Sequence, residues 1–251
     1  NSLEEMNEIW AMSNFVGQMF ISSTSHNVYV FQHPVVLDIP ESISRSQFQI
    51  QKNNFVFLFM FDFDSHATRK NPEAVIKAFR YAFPKSSQSL VSLVIKSING
   101  NRHLKEQKTL EKLIEGDSRI IHINKVLPHF ENAALMHCCD SYVSLHRSEG
   151  FGLTIAEAML TGKPVITTGY SGNMDFTTDQ NSLLVDYQLV PVQMNYPYQY
   201  SKGEMWAEPD IEQAGDYMRK LVRDTYFSYS FAKKGQELIR TSFSIESMGE
   251  R

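Results

Sequence analysis

Two glutamates, Glu149 and Glu157, frame a short stretch that carries Gly150 and Gly152. The glycines let backbone approach a ligand closely, and a helix starting there leaves the N–H groups of Phe151, Gly152, Leu153 and Thr154 without intrahelical partners. Such a helix start favours an anion, most simply a phosphate. A carboxylate only accepts hydrogen bonds, so it suits sugar or ribose hydroxyls and repels a phosphate unless donors intervene. The chemistry within reach is therefore a phosphate on the backbone with hydroxyls on the two acids. Taken alone, the pair reads equally well as two solvated glutamates on an ordinary strand–loop–helix connection.

The elements around this stretch follow from its pattern. Tyr142 to Leu145 is a short apolar run, and Leu153, Ala156, Met159 and Leu160 recur on one 3.6-residue face. Gly162, Lys163 and Pro164 end that helix, and Val165 and Ile166 open a second strand. The same alternation runs through the chain. Phe55 to Phe61 is nearly continuous in apolar residues, as in a strand covered on both faces, and is expected to be the first strand of the main sheet. Pro72 opens a helix with Val75, Ala78, Phe79 and Ala82 inward. Leu90 to Ile95 reads as a strand, Leu104 to Ile114 as a helix, Arg119 to Ile123 as a strand, Phe130 to Cys138 as a helix, and Ser182 to Val185 as the last strand. Asp210 caps a helix with Ile211, Ala214, Met218, Leu221 and Val222 on one face, and another helix spans Tyr229 to Ile239. Regular βαβ units imply an α/β protein, Rossmann-like, with a doubly wound parallel sheet. Tyr187 to Pro209 breaks the alternation and reads as a long aromatic loop, either a strapped surface loop or a platform for an acceptor sugar. Asn1 to Pro40 holds a short strand, a Ser/Asn helix cap and the extended pieces Val28 to Phe31 and Val35 to Ile39.

Composition narrows the class. In 251 residues, 24 basic against 28 acidic side chains leave no positive excess for nucleic acid or an anionic membrane surface, so neither partner is expected. The longest apolar stretch, Phe55 to Phe61, is too short to span a bilayer, and the N-terminus lacks a basic region followed by an apolar one. A cytoplasmic chain, peripheral to a membrane at most, is expected. Cys138 and Cys139 are adjacent in a predicted helix and read as reduced, buried residues, while His122, His129 and His137 show no metal-ligand spacing.

Glu149-Gly150-Phe151-Gly152-Leu153, Ala156-Glu157-Ala158-Met159 and Gly162-Lys163-Pro164-Val165-Ile166 together closely resemble the donor-site signature of retaining glycosyltransferases of family 4, the group-1 type. The resemblance extends from roughly Asn7 to the C-terminus and is strongest from Phe55 to Val185. It implies the C-terminal, donor-binding half of a GT-B fold. Residues 1–40 would be the end of an N-terminal domain and the crossover, 41–54 a linker, and 55–251 the nucleotide-sugar domain, with the rest of the N-terminal domain missing. The implied reaction moves a hexose from a GDP- or UDP-sugar to a hydroxyl of a glycan or lipid-linked acceptor, at the inner membrane face in the lipid-linked case. Anomeric configuration is kept and no metal or other cofactor takes part.

Residue by residue, the resemblance puts the transferred sugar on Glu149, the ribose on Glu157 and the diphosphate on the amides from Phe151 to Thr154. Lys70, in Lys70-Asn71-Pro72, would reach the diphosphate. Where the family carries a Gly-Arg pair this chain has Phe61-Asp62, so Arg69 or Lys96 is expected to supply the second positive charge. His146 and Arg147 precede Glu149 and either touch donor or acceptor or serve the loop's structure. Asn173, in Ser171-Gly172-Asn173-Met174-Asp175, would border the sugar where the family has a Gly-Gly turn and a glutamate. The loop Asn124 to Pro128 would receive the base. Two other readings stand beside this one: a nucleotide-sugar binding module without turnover, and a metal-dependent transferase using Asp62 and Asp64 as a D-x-D motif.

Overall fold

The structure, a computed structural model, describes residues 6–38, 44–87, 89–192 and 203–249. It opens with β1 (Glu8–Ala11), α1 (Asn14–Ser23) and β2 (Asn27–Val30), whose two strands pair in parallel with Glu8 opposite Asn27. Ser13 starts the helix, its Oγ accepting the Val16 N–H at 3.2 Å.

The main sheet contains β3 (Phe55–Asp62), β4 (Val91–Ile98), β5 (Ile120–Asn124), β6 (Ser141–Ser144), β7 (Val165–Thr168) and β8 (Leu183–Val185). Their spatial order is β5-β4-β3-β6-β7-β8, with every pair parallel. Between them run α2 (Ala67–Lys70), α3 (Pro72–Ala82), α4 (Leu104–Ile114), α5 (His129–Cys138) and α6 (Leu153–Leu160). The chain winds outward from β3 to β5 and then returns to place β6 beside β3. That reversal opens a crevice beyond the carboxyl ends of β3 and β6, the place where open parallel sheets bind ligands.

Both faces of the sheet are covered, which is why its strands read as continuous apolar runs. Phe57, Phe59 and Phe61 point to one side, against Val75, Ala78 and Phe79 of α3. Val56 and Leu58 point to the other, against Leu135 of α5 and Ile155 and Met159 of α6. Each such side chain, fully buried, contributes about 1.5–3 kcal/mol relative to exposure.

The sheet is followed by β9 (Tyr187–Pro191), β10 (Met205–Pro209), α7 (Ile211–Arg223), α8 (Thr225–Ser242) and α9 (Ile245–Gly249). Strands β9 and β10 form an antiparallel ladder with Tyr187 opposite Pro209 and Pro191 opposite Met205. The loop expected over Tyr187 to Pro209 is thus a hairpin at both ends, and Ser182 to Val185 is not the last strand. Pro191 and Pro209 concealed it in the sequence, yet both sit at strand ends, where a missing N–H costs little. Tyr196, Pro197, Tyr198 and Tyr200 lie outside the described residues, so the expected stacking platform does too.

Three further expectations change. Strand β4 continues through Ile98, so Lys96 lies inside it rather than at its end. On α6 the buried residues are Ile155, Ala156, Ala158 and Met159, whereas Leu153 is 45% exposed at the open mouth of the crevice. The stretch read as a linker contains a 3-10 turn, Arg45–Phe48, and buries Phe48 and Ile50 against the sheet. No helix among the described residues is long and apolar enough to cross a membrane.

Candidate functional site

Strand β6 ends at Ser144, and Leu145 to Gly152 carries the chain across the crevice to α6. Gly152 precedes the helix at φ +92°, and an added Cβ would meet Ile155 Cδ1 at 3.2 Å and Asn173 Cβ at 3.3 Å. No side chain caps this helix start. Among the described residues the N–H groups of Gly152, Leu153 and Thr154 have no hydrogen-bond partner. The amides at the start of α6 therefore keep their capacity to donate.

Glu149 sits beside it, nearly buried, and accepts from Lys70 Nζ at 2.5 Å and from Arg69 at 3.3 Å. Burial opposes ionisation of this carboxyl. The charge of Lys70 foremost, then that of Arg69, outweighs burial and holds its pKa below the ordinary value. Short helix α2 makes this possible. It turns Arg69 and Lys70 back toward the end of β6, and Asn71 ends the turn at φ +58° before α3 begins. Arg69 also donates to Ser148 O at 2.5 Å, and the Arg147 N–H donates to Arg69 O at 2.8 Å, so backbone contacts fix the two loops to one another.

Lys96 does not join this group. It is 3% exposed, its Nζ donates to Ser97 O at 3.2 Å, and burial followed by the charge of Lys125 lowers its pKa to about 8. Of the two candidates for a second cation, the structure brings Arg69 to Glu149. A buried position inside β4 explains why Lys96 stays apart.

Glu157 lies on the first turns of α6, half-buried, and its carboxylate has no hydrogen bond or ion pair among the described residues. Burial raises its pKa to about 7. An acceptor so placed has capacity for incoming hydroxyls.

His146 and Asn173 are fully buried and hold the loop that backs Glu149. His146 Nδ1 lies 3.0 Å from Ser144 Oγ, and Nε2 lies 3.1 Å from both Tyr170 O and Asn173 Oδ1. Two acceptors at Nε2 assign the proton there, and burial lowers the pKa, so the imidazole is neutral. Asn173 Nδ2 donates to Thr168 O and Thr177 Oγ1, each at 3.1 Å. Asn173, expected to border the sugar, and His146, expected either to touch donor or acceptor or to serve the loop, both make their contacts within the loop. Arg147 is likewise structural: it forms a two-pronged pair with Glu208, donates to Thr68 O and stacks over Trp206 at 5.1 Å. Asp62 Oδ1 accepts from the Asp64 N–H and from Asn99, and Asp64 pairs with Arg102 and His103. Both aspartates of the D-x-D pattern already have protein partners, and the described residues contain no group of three potential metal ligands.

Ser171 and Asp175 belong to the turn expected to border the sugar, and their contacts in the structure are to protein groups. Ser171, at φ +76°, donates to Tyr170 O and accepts the Glu149 N–H at 2.7 Å. Those two bonds hold a non-glycine residue in a glycine-like conformation. Gly172 packs so closely that an added Cβ would lie 2.1 Å from Gly150 O. Ser13 Oγ donates to Gly150 O at 2.5 Å, and Asp175 accepts from the Asn14 N–H and from Gln32, each at 2.8 Å. The N-terminal βαβ unit therefore rests on the loops that carry Glu149 and Asn173. Sequence reading identified Ser13 only as a helix cap, because a cap and a long-range contact use the same hydroxyl.

The described architecture agrees with comparison to known proteins. A family model described as glycosyl transferases group 1 matches residues 41–238. The chain belongs to that family. Three solved structures illustrate the family's fold. Anabaena HepE, in complex with UDP and glucose, is 20% identical with a TM-score of 0.73, over 97% of this chain and 61% of that one. Sucrose-phosphate synthase from Thermosynechococcus elongatus is 17% identical with a TM-score of 0.73, over 99% and 57%. The C-terminal domain of the group 1 family protein LpcC from Francisella tularensis is 22% identical with a TM-score of 0.61, over 84% and 97%. This chain thus spans less than two thirds of the first two and nearly all of the third's domain. No curated protein matches. The six-stranded sheet is the C-terminal half of a GT-B fold.

Proposed function

We propose that this chain is the donor half of a retaining, family-4 type glycosyltransferase that transfers a hexose from a nucleoside-diphosphate sugar. The observation that carries this reading is the Lys70–Glu149–Arg69 cluster beside the unsatisfied N-terminus of α6. A diphosphate bound on those amides brings two negative charges to the two cations. Lys70 and Arg69 then stabilise the leaving diphosphate, and Glu149, released from Lys70, turns its oxygens to the sugar hydroxyls. Catalysis rests on preorganised charge where negative charge develops. The bond from the anomeric carbon to the diphosphate oxygen breaks, and the acceptor oxygen bonds that carbon on the same face. The acceptor's proton leaves with the diphosphate.

Glu157 takes the ribose hydroxyls, an interaction common to ground and transition states that mainly lowers the donor KM. UDP is the first donor nucleotide to test, supported by the UDP in HepE, with GDP next. No metal takes part in this scheme, a reading supported by the partners already held by Asp62 and Asp64. The acceptor is a glycan or lipid-linked sugar, met in the cytoplasm or at the inner membrane face. It sits against an N-terminal domain whose last βαβ unit is residues 6–38, followed by a short crossover and the donor domain. A chain that binds donor without turnover is the second reading, and the same Lys70–Glu149–Arg69 site would serve it.

Calorimetric titration with UDP, GDP and ADP and their hexose conjugates, with and without EDTA, tests the proposal. Chelator-insensitive binding of one nucleotide, lost in Lys70→Ala, is the expected result. Binding of none, or binding abolished by EDTA, would overturn it.

A further inference from the structure

The turn that carries Arg69 and Lys70 cannot hold its own shape. Helix α2 is four residues long, far below the length at which a helix is stable alone, and the carbonyls at its C-terminal end need donors from elsewhere. Arg147 supplies two of them. Its backbone N–H donates to Arg69 O at 2.8 Å, and its Nη1 donates to Thr68 O at 2.6 Å. The two peptide groups directly before Lys70 are thus fixed by one residue, and with them the directions in which both cations leave the backbone.

Arg147 is fixed in turn from its other side. Nε and Nη2 take the two oxygens of Glu208 at 2.7 and 3.0 Å, the guanidinium lies 5.1 Å from the centroid of the Trp206 ring, and the Arg147 carbonyl accepts the Ala207 N–H at 3.0 Å. These partners are three consecutive residues of β10, of which Trp206 and Ala207 are buried. A planar guanidinium can grip a carboxylate with one edge and a carbonyl with another, whereas an ammonium offers a single point charge for both tasks. The Glu208 side chain is 37% exposed, and a pair so open to solvent adds little to stability. What it secures is geometry.

We propose that Arg147 is a positioning residue for the Arg69–Lys70 turn, and that β10, acting through Glu208 and Trp206, sets where the two cations meet Glu149. The consequence for a diphosphate rests on the donor reading above; the placement against Glu149 does not. Arg69 reaches Glu149 at 3.3 Å, so a displacement of about 1 Å in the turn is enough to break that contact.

Glu208→Gln tests this without altering any residue that touches the cluster. Glutamine keeps the volume but accepts only one of the two Arg147 bonds and carries no charge. Arg147→Lys is the companion variant, keeping the charge and both backbone bonds while losing the fork. The first readout is NMR titration of the Glu149 side-chain carboxyl without nucleotide. Lys70 and Arg69 face that carboxyl from α2, and the neutral His146 faces it from its own loop. Its titration midpoint is expected to rise in both variants as the cations withdraw. A brace serving stability alone would lower the thermal midpoint and leave this titration in place. An unchanged Glu149 midpoint in both variants, or Lys70 and Arg69 still seated on Glu149 in a crystal structure of Glu208→Gln, would overturn the proposal. Calorimetry with UDP and UMP reads the consequence for the donor: the wild-type preference for UDP, which has the second phosphate, is expected to fall about tenfold in Glu208→Gln. A wild type that binds neither nucleotide would defeat the donor reading, while the Glu149 titration still decides the role of Arg147.

Discussion

Lys70 Nζ lies 2.5 Å from Glu149 Oε1, and both side chains are almost shielded from solvent. The cation proposed for the donor diphosphate is thus already paired with the carboxylate proposed for the sugar, and Arg69 shares the same acid. Donor binding must exchange partners within this group. Glu149→Gln, which frees both cations without emptying the space, is expected to leave UDP affinity undiminished and to lower transfer by about a hundredfold or more. Calorimetry and turnover measured on the same preparation check this. A parallel loss of UDP binding would show that Glu149 is needed for the nucleotide itself.

Breaking the pair from the other side is costly to the fold. Lys70→Ala leaves a buried carboxylate with only Arg69, and the expected loss is about 3 kcal/mol of unfolding free energy. Arg69→Ala, at the longer contact, is expected to cost less. Chemical denaturation of both variants measures the order.

Glu157 makes a prediction in pH. Burial raises its pKa to about 7 from an ordinary 4.5. Between those values the folded state binds more protons than the unfolded chain, so its contribution to stability declines as pH rises from 4.5 to 7. Glu157→Gln is therefore expected to be more stable than wild type at pH 8 and nearly equal to it at pH 4. UDP affinity should rise through pH 7 in the wild type, where the carboxylate accepts ribose hydroxyls, and should be weaker and flatter in the variant. Thermal melts and titrations across pH 4–9 give both readouts.

The Ser171-Gly172 turn supports Glu149 by backbone geometry. Gly172→Ala forces a Cβ onto Gly150 O and is expected to cost more than about 3 kcal/mol or displace the Glu149 loop. Ser171→Gly relieves φ +76° but removes two hydrogen bonds, and a net change within about 1 kcal/mol is expected. Denaturant midpoints for the two variants should differ widely.

Ser13→Ala removes one hydroxyl that serves both the cap of α1 and the contact with Gly150. A loss of about 1 kcal/mol is expected from the cap alone. Amide exchange should quicken in α1 and in the Glu149 loop together, because they share this contact. Faster exchange in α1 only would show that the long-range bond contributes nothing.

Much of the fold was legible in the chain because local rules bear on it directly. Apolar runs such as Phe55 to Phe61, the Pro72 helix start and the Asp210 cap each record a backbone requirement in adjacent residues. The same holds for Gly150 and Gly152, which mark the tight loop before α6 and the helix start that leaves amides without partners. The β9–β10 hairpin escaped notice, since its prolines look like breakers unless the partner strand is known.

Tertiary structure decided what the side chains do. Sequence order separates Lys70 from Glu149 by a whole run of strands and helices, and only the return of the chain to place β6 beside β3 brings them together. Burial, a property of the packed whole, withdrew Lys96 into β4, turned His146 and Asn173 into supports, and raised the pKa of Glu157. Covalent neighbours determine backbone preference, but contact, desolvation and charge pairing depend on which distant surfaces meet.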